Sequence, residues 1–361
     1  MDGLHFIIPP ACRGNPWFED GNIILLVEDD GHNPLKAFKV HRGVLARQSE
    51  VFEAMFDIPQ PTSAMDSIEH VDGSPVIRMY DLPSELSNLI KALYDGVCVN
   101  SFLQFGRPCY PLSHNWNSTF RQRNVEDFYY LAGILRLASK YFITHLRVQA
   151  IRYLTETWPY TIRGHDEMVS QALAAPSVDG TTYPYVHPLH VLNLAREVNA
   201  RIVVPSALYF LSIYSLKHLL SGDHPKLQNQ HPSRPSNQLS VHDVSQYTLM
   251  YQHRISMILD FIRNTCGERA VDGNCRAPKE CRRVFSRLAS NINHSFTPRT
   301  GPFHNMAQAM QWIDDDDTIC GPCQRAFRRD VTALRTRLWE ELPSVVGLPS
   351  WNELLAIDLP S

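Results

Sequence analysis

The sequence predicts an α+β chain: a small sheet with a helical cluster at the N-terminal end, then a mainly α-helical region. Three observations predict it. Ile23 to Val27 is a continuous apolar run rich in β-branched residues, as a strand buried on both faces requires. Short strand-like segments recur at Ala37 to Val40 and Val76 to Met79. From Val125 onward, apolar residues return every three to four positions through most of the chain.

Each element has its own signal. Asp20-Gly21 opens the first strand, and Asp30-Gly31 with Asn33-Pro34 is turn chemistry that sends the chain back into Ala37-Phe-Lys-Val40. A helix is expected from about His41 to Phe56. Val44, Leu45, Val51, Phe52, Met55 and Phe56 share one face with Gln48, and Pro59 and Pro61 stop it. Residues 57–74 read as a polar loop. Val76 to Met79 is the third strand. Asp81-Leu82-Pro83 starts a helix carrying Leu86, Leu89, Ile90 and Leu93, and Asp95-Gly96 ends it. Residues 97–123 lose all periodicity and read as a loop-like insertion. Helical order returns with Phe128, Leu131, Leu135, Ala138 and Phe142 and runs to Pro159. Residues 160–187 look loose. Helices follow at roughly 188–198 and 204–220, and residues 221–240 read as a Pro-punctuated linker. Helical segments then cover Val244 to Arg263, Arg282 to Ile292, Met306 to Ile313 and Gln324 to Leu342, with a turn at Trp351 to Leu355. Asp314 to Asp317 reads as a solvated acidic run.

Composition narrows the function classes. The 361 residues leave room for two or three domains. A hydrophobic fraction of 44% with 20% charged residues is enough for real cores. Lys and Arg number 34 against 37 Asp and Glu, a net charge of −3. No global basic field exists to hold a phosphate backbone, and no paired fingers, basic zipper or basic stripe appears, so direct nucleic-acid binding is not expected. The start, Met1-Asp-Gly-Leu-His5, lacks a basic leader, and the apolar run at residues 202–216 contains Pro205 and is too short for a bilayer. No membrane partner is expected, and a cytoplasmic or nuclear location follows, where thiols stay reduced. Gly-x-Ser-x-Gly, phosphate-loop, Gly-x-Gly-x-x-Gly and His-Glu-x-x-His signatures are absent, so the chain is not expected to be an enzyme.

Two blocks carry a family resemblance. The first is Asp20-Gly-Asn-Ile-Ile-Leu. The second is Phe38-Lys-Val-His41-Arg-Gly-Val-Leu45-Ala-Arg-Gln-Ser49-Glu-Val-Phe52-Glu-Ala-Met55-Phe56. Leu93-Tyr-Asp-Gly96 and Leu131-Ala132 through Lys140-Tyr141 extend the pattern. Residues 18–158 resemble a BTB/POZ domain, with 97–123 as the insertion. The resemblance implies a protein-interaction fold in which Asp20, His41, Leu45, Ser49, Phe52, Met55 and Phe56 are structural. In that family the His packs at the strand–helix junction and hydrogen-bonds backbone, and Asp20 reads as an acceptor for nearby backbone N–H groups. Residues 159–222 read as a helical extension and 223–361 as a C-terminal helical, Cys-containing region. Ser221-Gly-Asp-His-Pro-Lys226, His231-Pro-Ser-Arg-Pro-Ser236, Tyr247-Thr-Leu-Met-Tyr251 and Leu348-Pro-Ser-Trp351 resemble the BTB proteins of mushroom-forming fungi.

The resemblance implies protein partners, including a second copy of the chain. Dimer-forming family members carry a helix before the first strand. Residues 1–19, with Pro9, Pro10 and Pro16, do not look like one. Ubiquitin-ligase adaptors carry a hydrophobic-x-Glu element after the Met-Phe helix end. Asp57-Ile-Pro-Gln-Pro61 stands there instead, so cullin binding is the alternative rather than the leading expectation.

Eight cysteines are present, five of them after residue 265. Cys320-Gly-Pro-Cys323 is a knuckle whose Gly and Pro favour a tight turn that points both sulfurs at one ion. Cys275 and Cys281 form a looser pair. Together the four could hold one structural zinc, with Cys266, His294 or His304 as substitutes. The sequence alone leaves equally open that these are separate buried thiols. A redox pair is a third reading, but the βαβ setting that such pairs use is missing.

Overall fold

The computed structural model describes residues 8, 10–27, 35–58, 70–71, 73–94, 125–174, 186–295 and 300–360. The turns at Asp30-Gly31 and Asn33-Pro34, the Pro59 and Pro61 stop, the Asp95-Gly96 helix end and the 97–123 insertion lie outside these residues. The chain divides into two units, Met1–Ile151 with Gln230–Arg234, and Arg152–Asn229 with Pro235–Ser361.

The first unit is built around a small sheet of β1 (Ile23–Val27), β2 (Lys36–Val40), β3 (His70–Val71) and β4 (Ser74–Met79). Its strand order is β2-β1-β4-β3. β1 is antiparallel to β2, with Leu25 opposite Phe38, and parallel to β4, with Leu25 opposite Ile77. That central position explains its unbroken apolar run: Ile24 and Leu25 are both fully buried. The short β3 adds one correction to the 57–74 loop expectation. Val71 pairs with Ser74, and Gly73 takes a positive φ of 71°.

The same unit holds α1 (Arg42–Gln48), α2 (Glu50–Asp57), α3 (Pro83–Tyr94), α4 (Val125–Lys140) and the start of α5 (Thr144–Thr157), as far as Ile151. The single helix expected over 41–56 is therefore two. Ser49 breaks it with extended backbone at φ −140° and ψ 116°. Its hydroxyl accepts from the Phe52 N–H at 3.1 Å, capping α2, and donates to the Tyr141 carbonyl at 2.6 Å. Phe52 sits behind this cap, fully buried, with its ring stacked 4.6 Å from Tyr141 and 5.9 Å from Phe56. Glu85 is buried too, and Arg136 neutralises it at 2.9 Å while also donating to the Ser233 carbonyl at 2.9 Å.

The second unit has no strand among its described residues, and its regular structure is helical. It comprises α6 (Ile162–Ala174), α7 (Pro188–Glu197), α8 (Val204–Leu211), α9 (Leu216–Ser221) and α10 (Val241–Asp260). A π-helical turn, Phe261–Gly267, continues α10 and leads to α11 (Pro278–Ser295), α12 (Pro302–Asp314), α13 (Gly321–Val345) and α14 (Trp351–Asp358). The apolar run at 202–216 supplies α8, all of whose residues are buried. No single helix among the described residues is long and apolar enough to cross a membrane.

One expectation needs correcting here. Residues 162–174 are a helix, not a loose stretch. Its buried face is His165, Met168, Val169 and Ala172, and a histidine in the first apolar slot hid the period. The 221–240 segment is largely irregular, as expected of a linker, with one 3-10 turn at Pro225–Leu227. Asn193 donates to the carbonyls of Ser236 at 2.7 Å and Gln238 at 3.0 Å, satisfying backbone groups that no helix or strand serves.

Candidate metal centre

The polar residues of the N-terminal motif form a structural network. The His41 backbone N–H donates to the Tyr94 hydroxyl at 2.7 Å, and that hydroxyl lies 2.9 Å from the ring Nδ1. On the other side of the ring, Nε2 is 3.3 Å from the Asp20 carboxylate. One neutral tautomer satisfies all three contacts: the Tyr94 O–H donates to Nδ1 and Nε2–H donates to Asp20. The histidine thus stands at the strand–helix junction, but its ring meets side chains where backbone was expected. Asp20 likewise bonds the imidazole. The backbone role falls to Asn22, whose Oδ1 accepts from the Arg42 N–H at the start of α1 at 2.8 Å. Leu45 and Phe52 are fully buried, Phe56 is buried, and Met55 is half-buried. These side chains are all engaged in packing and hydrogen bonds.

The cysteines are different. The sulfurs of Cys275, Cys281, Cys320 and Cys323 all lie within 4.8 Å of one another. The Cys275 and Cys320 sulfurs are 3.6 Å apart. A tetrahedral ion with sulfurs at about 2.3 Å has sulfur–sulfur edges of about 3.8 Å, so the four fit around one such ion. Cys266 lies in the π-helical turn, fully buried, and it, His294 and His304 are outside the group. Burial pushes the Cys266 thiol up to about 12, against the pull of Arg269.

Two helix starts build the group. Asp272 and Cys275 close a turn, with the Cys275 N–H donating to the Asp272 carbonyl at 2.9 Å, and Cys281 follows in the first turn of α11. Cys320 is the N-cap residue of α13 and Cys323 lies in its first turn. The positive ends of two helices therefore face the sulfurs. Backbone N–H groups point at them as well: Asp272 to the Cys323 sulfur at 3.3 Å, and Cys320 to the Cys281 sulfur at 3.4 Å. The chain reversal between residues 281 and 320 is made by α11 and α12, with Gly301 between them at φ 85°. A hydrophobic cluster containing Phe261, Val284, Phe285, Met306, Ile313 and Phe327 backs the site.

The electrostatics favour negative charge at Cys320. Burial would raise the Cys320 thiol, but the backbone N–H groups of Cys323 and Arg276 and the thiols of Cys323 and Cys275 bring it down to about 6. Burial raises Cys281 and Cys323, with the Cys275 and Cys320 thiols adding to both shifts and backbone donors opposing them. Four thiolates at this spacing repel one another strongly unless a cation sits between them. The sequence signal for this site was the Cys-x-x-Cys knuckle. The partner pair had only proximity in composition to recommend it.

No family profile, curated protein or solved structure matches this chain.

Proposed function

We infer that the chain is a non-enzymatic protein-interaction protein, with a BTB/POZ-like first unit and a second unit pinned by one structural zinc. The observation that carries this reading is the donor set. Four sulfurs converge with no fifth group among the described residues, which fills every corner of a tetrahedral ion and leaves no position for a substrate or an activated water. Such a site stabilises and does not catalyse. Zinc suits it best because thiolates are soft ligands and the geometry is four-coordinate. A redox role is less well supported, since no strand lies beside the knuckle among the described residues of the second unit. In the first unit, Asp20, His41 and Tyr94 have the residue types of a proton relay but, among the described residues, bond only one another and backbone, with Phe18 stacked 4.2 Å over Tyr94.

Function by this reading is association, through burial of surface on protein partners or a second copy. The experiment is proximity labelling by the full chain in its own cells. A reproducible set of neighbouring proteins, depleted when Phe52→Ala destabilises the first unit, supports it. Identical sets from both chains refute it. A cullin in the set moves the reading to the ligase-adaptor alternative.

A further inference from the structure

Beside the sulfur cluster runs an open cleft of about 940 Å³. One wall is the turn bearing Asp272, Cys275 and Arg276; the other is the start of α13, with Pro322, Arg325 and Arg329. All three arginines are exposed. Elsewhere in this unit several arginines are neutralised within the chain: Arg269 by Asp330 at 2.6 Å, Arg328 by Asp314 at 2.6 Å, and Arg287 by Asp316. Arg276 and Arg325 have no acidic partner among the described residues. Arg329 shares Asp330, at 3.0 Å, with Arg269. The Asp272 carboxylate is committed to its own turn, accepting from the Asn274 N–H at 2.9 Å. The cleft therefore carries surplus positive charge on guanidinium groups, which recognise carboxylates as two-pronged forks.

We propose that this cleft is a docking surface for an extended acidic segment of a partner protein. The spacing points to an extended chain. Arg325 and Arg329 are one turn apart on α13, about 6 Å along its axis. Carboxylates on the same side of an extended chain recur every second residue, about 6.7 Å apart. Arg276, on the opposite wall, faces the same channel. The openness and polarity of the cleft also disfavour a small metabolite, which wants an enclosed, mostly apolar pocket. The sulfur cluster ties the two walls together, because the Asp272 N–H bonds the Cys323 sulfur at 3.3 Å.

The surface extends the association reading and rests on it, yet its test is separate from the labelling experiment. The zinc-loaded full chain is titrated at low salt into a fluorescent peptide of alternating Glu and Gly, with the Gln-Gly peptide and a single-stranded DNA oligonucleotide as comparators. The Glu peptide should bind, the Gln peptide should not, and added salt should weaken the complex, because exposed charges are screened beyond about 10 Å at 0.1 M. Arg325→Glu with Arg329→Glu should weaken it about tenfold or more, with zinc content and melting temperature unchanged. Absent binding, or equal binding by the double variant, overturns the proposal. So does tighter binding of the DNA. Loss of zinc from the double variant overturns it as well, since the arginines would then serve to balance the thiolates.

Discussion

Truncating Phe52 to alanine tests the packing of the first unit. The side chain is fully buried between Phe56 and Tyr141, and the capping serine ahead of it ties α2 to the Tyr141 backbone. Removing the ring uncovers about 150 Å² of apolar surface, which at ~25 cal/mol per Å² is about 4 kcal/mol. The lost stack on Tyr141 adds up to about 1 kcal/mol. The sum agrees with the range of about 3–5 kcal/mol seen when core phenylalanines are truncated. Against a typical margin of about 5–15 kcal/mol, that is a large share of the unit's stability. For a unit of this size the melting temperature should fall by about 10–20 °C. Scanning calorimetry of the full chain reads it, with Phe52→Leu as the control, which keeps most of the volume and should cost less than about 1.5 kcal/mol. A transition for Phe52→Ala within two degrees of the parent would refute the core assignment.

Three further expectations follow from single positions. Ser49→Ala removes the α2 cap and the bond to Tyr141, costing about 1–2 kcal/mol in urea unfolding; an unchanged midpoint would mean the helix break is held by something else. Gly301→Ala should cost about 3 kcal/mol or more, because φ 85° with ψ 172° is a glycine-only conformation and an added Cβ would lie 2.4 Å from the Tyr209 hydroxyl; a soluble variant with parental melting would contradict this. Burial lowers the pKa of His165, with Asp166 opposing and Arg335 adding to the shift, and burial with His224, His190 and Lys226 lowers that of His187 well below 6.5. The unfolded chain then takes up more protons below about 6.5, so stability is full above that pH and is lost as the pH falls towards the folded values. Melting temperatures should drop on acidification, less steeply for His187→Gln, and a rise on acidification would sink the assignment.

The central strand was legible because β1 is buried on both faces, and such a strand needs no partner to announce itself in sequence. The long helices were legible for the same reason, since periodicity is local. The break at Ser49 was not. Apolar spacing continues straight through it, and what turns the chain is a bond to Tyr141, far away in sequence. Helix α6 was hidden by His165, which occupies a core slot by stacking on Phe210 at 5.5 Å and by its contact with Asp166, itself paired with Arg335. Of the cysteine group, the Cys320–Cys323 pair announced itself by its turn chemistry. That Cys275 and Cys281 join it depends on the α11–α12 reversal, which no spacing rule encodes.

The most direct measurement is metal content. Elemental analysis of the full chain, expressed with zinc and freed of loosely bound metal, should find about one zinc per molecule. Cys320→Ser should lose it, and Cys266→Ser, altered at a buried thiol outside the cluster, should keep it. Chelation should lower the melting of the second unit, because an unfolded chain offers no formed site. A folded parent chain with no bound metal, or one whose melting ignores the chelator, would contradict the account.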